Sequence, residues 1–186
     1  MNTIENLIKE YNDSFESRGM SLDALTLHNF VVTRKLKNIL EFGVLHGSTT
    51  RALALAASKV VGSNYVSVDI ENQCLVEAKE KLINDGTDKY VTFVCSDSIK
   101  YLSGQPANYW DLIFIDTDHH LKQTLTELFL AGITVKQNGG LIFLHDASMP
   151  EVMQAINIFE FYNKGKCSST IFRTESGLVL ITMEKK

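Results

Sequence analysis

The sequence has little proline and cysteine, and it has no long apolar run. Only two prolines occur in 186 residues, so no proline-rich linker divides the chain. Three isolated cysteines, Cys74, Cys95 and Cys167, argue against a disulfide framework or a structural zinc site. No apolar run approaches the roughly 20 residues that span a bilayer, and no basic leader precedes an apolar stretch at the N-terminus. We expect one cytoplasmic domain over residues 1–186 that has no membrane partner.

An excess of positive charge is also missing. The formal net charge is −4 at pH 7, and the sequence pI is about 5.7. A nucleic-acid backbone is therefore excluded as the main partner, because binding it requires clustered lysine and arginine.

Short apolar, β-branched runs alternate with stretches of helical spacing. The runs predict strands at 38–42, 65–69, 90–95, 111–116 and 140–145. The intervening spacing predicts helices at 48–60, 72–84, 119–135 and 150–162. This alternation is typical of an α/β fold, in which a parallel, doubly wound sheet lies between two layers of helices.

Both ends of the chain depart from the alternation. Two further strands, at 169–173 and 178–183, are separated by only four residues and therefore predict an antiparallel hairpin. The first 36 residues predict one or two amphipathic helices broken near Gly19, ahead of a core at 37–186. These helices could cover the site or form the surface of a homodimer.

The loop after the first strand carries two widely spaced glycines. Gly43 and Gly47 lie four residues apart, between the strand and a helix, and nothing matches GxGxxG. A pyrophosphate needs the tighter glycine turn. The wider loop, with Glu41 at the strand tip, favours a ligand that carries positive charge and no phosphate.

Acids end the next two strands. Asp69 could accept both hydroxyls of a ribose, and Asp97 lies where an adenine edge would be. Either residue could instead cap the helix that follows it. Together with Glu41, these acids favour a cationic sulfonium nucleoside.

Residues 39–54, Ile-Leu-Glu-Phe-Gly-Val-Leu-His-Gly-Ser-Thr-Thr-Arg-Ala-Leu-Ala, resemble the first motif of class I S-adenosylmethionine (SAM)-dependent methyltransferases, with the catechol-type enzymes most similar. The resemblance implies a Rossmann-like, seven-stranded sheet whose last strand is antiparallel. Glu41, Gly43, Gly47 and Thr49 would surround the methionine end, Asp69 the ribose, and Asp97 with Ser98 the adenine. The full set of cofactor contacts that we expect is Glu41, Gly43, Val44, Gly47, Thr49, Asp69, Ile70, Asp97, Ser98 and Asp116.

The fourth and fifth strands end in Asp116 and Asp146, which should face one pocket with His119 nearby. The two carboxylates could hold a Mg²⁺-type ion that lowers the pKa of an acceptor hydroxyl. Alternatively, His119 could remove the proton of the acceptor while the methyl group transfers.

Further resemblance bears on this choice. Cation-dependent O-methyltransferases carry aspartates at the places of Asp116 and Asp146, followed by Asn or Asp where this chain has Ala147. His119 stands where the catechol-type enzymes place a lysine. Residues 115–119 are similar to the Asp-x-Asp-His element of bacterial sugar and natural-product O-methyltransferases, whose histidine acts as a base. We therefore expect O-methylation of a small hydroxylated molecule, with Asp116 and His119 catalytic and a metal at Asp116 and Asp146 in doubt.

Neighbouring polar residues have simpler interpretations. Asp118 is expected to cap the helix that begins near His119, and His120 is expected to face solvent or pack. The side chain of His145 should alternate away from that of Asp146, which favours a structural role.

Two other functions remain open from the sequence. The chain could bind SAM or a partner without catalysis, or it could be a nicotinamide oxidoreductase. The missing GxGxxG and the closing hairpin count against the oxidoreductase.

Overall fold

The computed structural model describes residues 21–174 and 176–184. Its helices are α1 (Leu22–Arg34), α2 (Ser48–Lys59), α3 (Asn72–Asp85), α4 (Ser98–Ser103), α5 (Leu121–Thr134) and α6 (Pro150–Tyr162). Its strands are β1 (Asn38–Phe42), β2 (Asn64–Asp69), β3 (Val91–Cys95), β4 (Leu112–Ile115), β5 (Leu141–Leu144), β6 (Cys167–Phe172) and β7 (Leu178–Met183). Within these ranges no helix combines the length and the apolar character needed to cross a membrane.

The seven strands form one sheet in the order β3-β2-β1-β4-β5-β7-β6. The first five strands are parallel, and β7 runs antiparallel to both β5 and β6. From β1 the chain first adds β2 and β3 on one side, and it then returns to add β4 and β5 on the other side of β1. The strand order therefore reverses between β1 and β4. Ligands settle at this kind of switch point, outside the carboxyl ends of the strands.

Alternate residues of the buried strands supply the two faces of the sheet. One face packs against α5 and α6, for example through Leu128 and Phe159. The other packs against α1 and α2, for example through Leu27 and Leu53. The result is the predicted three-layer fold with a closing antiparallel hairpin.

Helix α1 is the described part of the predicted N-terminal cover. Ser21 begins it by accepting a hydrogen bond from the amide of Ala24. Phe30 then meets Phe143 edge to face, with ring centroids 5.2 Å apart, and meets Phe172 at 6.1 Å. The helix therefore covers one face of β5 and of the hairpin. The break predicted near Gly19 lies outside the described residues.

The predicted strands and helices are confirmed, with shifted ends. The helix predicted from residue 119 begins at Leu121, so His119 lies in the loop before it. Strand β6 begins two residues earlier than expected, at Cys167. The short helix α4 was not predicted, because six residues are too few for a clear helical period.

Gly43 marks the closest approach between the loops that leave β1 and β4. It has φ +87°, and a Cβ built on it would lie 1.8 Å from the carbonyl oxygen of Asp116. Only glycine satisfies both conditions. The amide of Asp116 also donates to the carbonyl of Phe42, at 2.9 Å. The first loop and Asp116 are thereby held side by side.

Replacing Gly43 with alanine should therefore disrupt the fold. We expect Gly43→Ala to lower the free energy of unfolding by at least about 3 kcal/mol. The alanine would be strained at a positive φ, and its Cβ would also force the backbone at Asp116 to move. Gly62→Ala is the matched control, since Gly62 has φ +76° with nothing within 4 Å of an added Cβ. It should cost only about 1 to 2 kcal/mol. Equal losses in urea unfolding would contradict the close approach.

Candidate functional site

A pocket of about 690 Å³ opens at the carboxyl edge of the sheet. Eight of the predicted site residues line it: Gly43, Asp69, Ile70, Asp97, Ser98, Asp116, His119 and Asp146. Four others do not line it and stay predictions as ligand contacts: Glu41, Val44, Gly47 and Thr49. The pocket is also lined by Leu45, Cys74, Thr117 and Gln123, which were not predicted as site residues, and by His145, which was expected to be structural.

Asp69 ties the end of β2 to the glycine-containing loop. Its Oδ2 accepts the amide of Val44 at 2.7 Å and that of Leu45 at 3.4 Å. Its Oδ1 accepts the amide of Glu71 at 2.8 Å. Asp69 therefore shapes the loop and also presents its carboxylate to the pocket.

Glu41 lies behind the loop and has no exposed surface. Its Oε2 accepts hydrogen bonds from Thr50 Oγ1 (2.9 Å), Tyr65 Oη (2.5 Å) and Ser67 Oγ (2.6 Å), and its Oε1 has no partner. Burial raises the pKa of the carboxyl to about 7, outweighing the lowering by these hydrogen bonds. These three hydrogen bonds connect β1 to α2 and to β2.

Gly47 permits close packing at the start of α2. It has φ +72°, and a Cβ there would lie 2.8 Å from the Cβ of Ala78 on α3. The close packing of α2 against α3 therefore explains why position 47 is a glycine. From the sequence, Gly47 had been explained by the close approach of a ligand.

A buried carboxylate that the sequence analysis missed organises the opposite wall. Glu127 of α5 has no exposed surface, and burial raises the pKa of its carboxyl. It accepts hydrogen bonds from Ser98 Oγ (2.5 Å), Thr117 Oγ1 (2.8 Å) and Gln123 Nε2 (3.0 Å). Its three partners line the pocket, so Glu127 sets their orientation.

The capping predictions had different outcomes. Asp97 caps α4, since its Oδ1 accepts the amide of Lys100 at 2.8 Å. Asp69 does not cap α3, which begins after Glu71 with no side-chain cap. Asp118 does not cap α5 and instead accepts the amide of His120 at 3.0 Å. The first amide of α5, at Leu121, donates to Glu151 Oε2 of α6 at 2.6 Å. The cap of α5 thus comes from a residue that is distant in sequence.

Asp116 and Asp146 face one pocket, as predicted, because β4 and β5 end side by side with Ile115 opposite Leu144. His119 Nε2 lies 2.9 Å from Asp146 Oδ2 and 3.5 Å from Asp116 Oδ1. We call Asp116, His119, His145 and Asp146 the reaction centre.

The side chain of His145 does not alternate away from that of Asp146, so this part of the prediction is wrong. Its Nδ1 lies 3.1 Å from Asp146 Oδ2 and 3.3 Å from Asp116 Oδ1, and its Nε2 lies 3.1 Å from Asp23 Oδ2. The predicted alternation fails because Asp146 lies beyond the strand in a left-handed conformation, with φ +54°. That turn brings two consecutive side chains together.

A smaller cavity of about 380 Å³ adjoins the reaction centre. It shares Asp118 and His119 with the larger pocket and is otherwise lined by His120, Met149, Pro150 and Glu151. His120 has a side chain that is 77% exposed, in keeping with its predicted solvent-facing position. His119 therefore stands between the two cavities.

Comparison with known proteins tests the expected class. Residues 40–147 match the family model described as a methyltransferase domain. No curated protein matches the sequence.

Among solved structures, the O-methyltransferase from Bacillus cereus in complex with S-adenosylhomocysteine (SAH) has a TM-score of 0.73 and 18% identity, covering 98% of this chain and 90% of that chain. The O-methyltransferase TomG from Streptomyces achromogenes, involved in tomaymycin synthesis and in complex with SAM, has a TM-score of 0.69 and 16% identity, covering 88% and 80%. SAH-bound PaMTH1 from Podospora anserina has a TM-score of 0.69 and 16% identity, covering 96% and 88%.

A mostly parallel seven-stranded sheet with one reversed strand, and an acid-lined pocket at its carboxyl edge, define a class I methyltransferase fold. The family match covers more than half of the chain. The chain belongs to the methyltransferase-domain family, which confirms the predicted class of SAM-dependent methyltransferases.

Glu41 should make stability depend on pH. Because its folded pKa of about 7 exceeds the unfolded value of 4.5, its contribution is fully present below pH 4.5 and is lost as the pH rises through 7. Glu41→Gln should therefore gain stability relative to the wild type across this window, by as much as about 3 kcal/mol. Thermal unfolding from pH 4 to 8 measures the difference. Glu80→Gln, at an exposed position of α3, is the control, and parallel curves for Glu41→Gln and the wild type would contradict the account.

Proposed function

We propose that this chain transfers the methyl group of SAM to a hydroxyl of a small molecule, with His119 as the general base. The observation that carries the proposal is the position of His119. It contacts the carboxylates of Asp116 and Asp146 at the border between a large and a smaller cavity. The large cavity would hold the methyl donor and the smaller one the acceptor.

The large pocket fits the donor in size and charge. Its volume of about 690 Å³ lies within the usual range for small-molecule sites. Asp69 and Asp97 line it, and no lysine or arginine occurs among its described lining residues, which suits a cation without phosphates. Solved relatives contain SAM or SAH. When bound, SAM supplies an electrophilic methyl group on a sulfonium.

Several residues that line the large pocket would contact the methyl donor. Asp69 retains acceptor capacity for ribose hydroxyls beyond its three backbone amides. Asp97 and Ser98 would bind the adenine end with Ile70 beside them, and Gly43 and Asp116 would lie nearer the sulfonium. Glu41 and Gly47 would act on the donor by shaping its loop, along with Val44 and Thr49.

His119 has the surroundings of a base. His119 Nε2 lies beside the two carboxylates without a hydrogen bond to either. A neutral imidazole that carries its proton on Nε2 leaves Nδ1 free to accept the proton of the acceptor hydroxyl. The imidazolium that forms would be stabilised by Asp146 at 2.9 Å and by Asp116 at 3.5 Å. The loss of the proton makes the acceptor oxygen a stronger nucleophile toward the methyl carbon.

The residues present do not fit the divalent ion that the sequence left in doubt at Asp116 and Asp146. Ligand atoms of Asp116, His119 and Asp146 lie within 4.8 Å of one another, but Mg²⁺ prefers six oxygen ligands. Ala147 offers no donor and is buried in the core. His145 already contacts both carboxylates. No step of the proposal therefore uses a metal.

Replacing His119 should separate binding from turnover. We expect His119→Gln to lower methyl transfer about 10²- to 10⁴-fold, with SAH affinity little changed. Glu80→Gln, at an exposed position of α3 that lines neither cavity, is the control and should leave turnover unchanged. Turnover is followed as SAH release by mass spectrometry over a panel of hydroxylated acceptors.

Two outcomes would count against the proposal. Full turnover by His119→Gln would show that His119 is not the general base. SAM binding by the wild type, without transfer to any member of a broad panel, would favour the non-catalytic alternative.

A further inference from the structure

We propose that Gln123 is a specificity-determining residue for the adenine base of the methyl donor, and that Glu127 is the positioning residue that fixes its amide. The side-chain carbonyl oxygen of Gln123 accepts a hydrogen bond from the exocyclic amine of adenine. This inference rests on the proposed function, which places the adenine end of the donor beside Asp97 and Ser98.

Gln123 lies at the end of the pocket where Asp97 and Ser98 are found. It belongs to the first turn of α5 and lines the large pocket. Its amide nitrogen Nε2 lies 3.1 Å from Oγ of Ser98, the first residue of α4. Because α4 follows β3 and α5 follows β4, this contact connects the loops at two strand ends. Gln123 therefore adjoins the place proposed for the adenine base.

The contacts of Gln123 determine which atom of its amide is left for a ligand. Nε2 donates to Ser98 Oγ at 3.1 Å and to Glu127 Oε1 at 3.0 Å. A side-chain amide has two N–H protons, and these two hydrogen bonds use both of them. An ionised carboxylate only accepts, so the NH₂ group and not the carbonyl group faces Glu127. The carbonyl oxygen Oε1 takes no part in these bonds and can accept from a ligand.

Glu127 prevents the amide of Gln123 from turning over. Its buried carboxylate also accepts hydrogen bonds from Ser98 Oγ and Thr117 Oγ1. Ser98 gives its single hydroxyl proton to Glu127, so its oxygen is left to accept from Gln123. A reversed amide would lose two hydrogen bonds and would place the carbonyl oxygen of Gln123 against acceptors. The direction of every bond in this group is thereby fixed.

An acceptor in this position distinguishes adenine from its deaminated form. Adenine carries an exocyclic amine, which donates, whereas hypoxanthine carries a carbonyl oxygen there, which accepts. A site that is built to bind an N–H group rejects the analogue without it, because the polar group of the protein is left unpaired. Asp97 lines the same end of the pocket and can also accept, so Gln123 accounts for part of the discrimination.

Calorimetric titration at pH 8 with SAH and with S-inosylhomocysteine, in which a carbonyl replaces the amine, tests the inference. The wild type should bind SAH at least about tenfold more tightly. Gln123→Leu should reduce this preference about threefold to tenfold. Gln154→Leu, at an exposed position of α6 that lines neither cavity, is the matched control and should keep the full preference. An unchanged preference in Gln123→Leu would overturn the inference.

The role of Glu127 is tested by Glu127→Gln, which keeps the size of the side chain. The new amide group can donate to Gln123 Oε1, so the amide of Gln123 can turn over and present its NH₂ group to the base. The preference for SAH should therefore fall at least as far as in Gln123→Leu. Glu80→Gln, at an exposed position of α3, is the control. Equal weakening of both ligands, with their ratio unchanged, would reduce Glu127 to a merely structural residue and overturn its positioning role.

The wild type alone decides the case in which a variant fails to fold. Equal affinities of the wild type for SAH and S-inosylhomocysteine would overturn the inference and leave the proposed function intact. Binding of neither ligand would overturn the proposed function together with the inference that rests on it.

Discussion

The close approach of Gly43 to the carbonyl of Asp116 is the constraint on which the site depends. Adjacent parallel strands bring β1 and β4 together, but only a residue without a Cβ lets their outgoing loops touch. The contact places the β1–α2 loop against Asp116, at the point where strand order reverses. In the proposed function the donor pocket and the reaction centre therefore adjoin. Proximity of this kind is a large part of what an enzyme contributes to a two-substrate transfer.

Acidic side chains surround the contact between Gly43 and Asp116, and their hydrogen-bond and ion-pair partners differ. Glu41 is held by three hydroxyls, and Glu127 by two hydroxyls and an amide. Asp69 is held by backbone amides. Asp23, Asp116 and Asp146 instead meet the imidazole of His145. Neutral donors thus fix the walls of the pocket, and the imidazole of His145 meets the carboxylates at the reaction centre.

The sheet could be predicted from the sequence, because strands buried on both faces are short, apolar and regularly spaced. β1 and β7 were predicted to the residue, and the antiparallel pairing of β6 with β7 was also predicted. The pairing of Asp116 with Asp146 followed from neighbouring strand ends. His145 was misplaced because the left-handed turn at Asp146 leaves no mark in hydrophobic periodicity. Glu127 was missed because an acid on a helix usually faces water, and only tertiary structure reveals its three partners.

The central claim is that a methyl group passes from the large pocket to an acceptor beside His119 without a metal ion. A crystal structure of the chain with SAH, grown with Mg²⁺ present, tests it most directly. The account predicts the ribose at Asp69, the sulfur facing His119, and His145 in contact with Asp116 and Asp146 with no ion between them. SAH bound elsewhere, or a metal ion on those two carboxylates with His145 displaced, would contradict it.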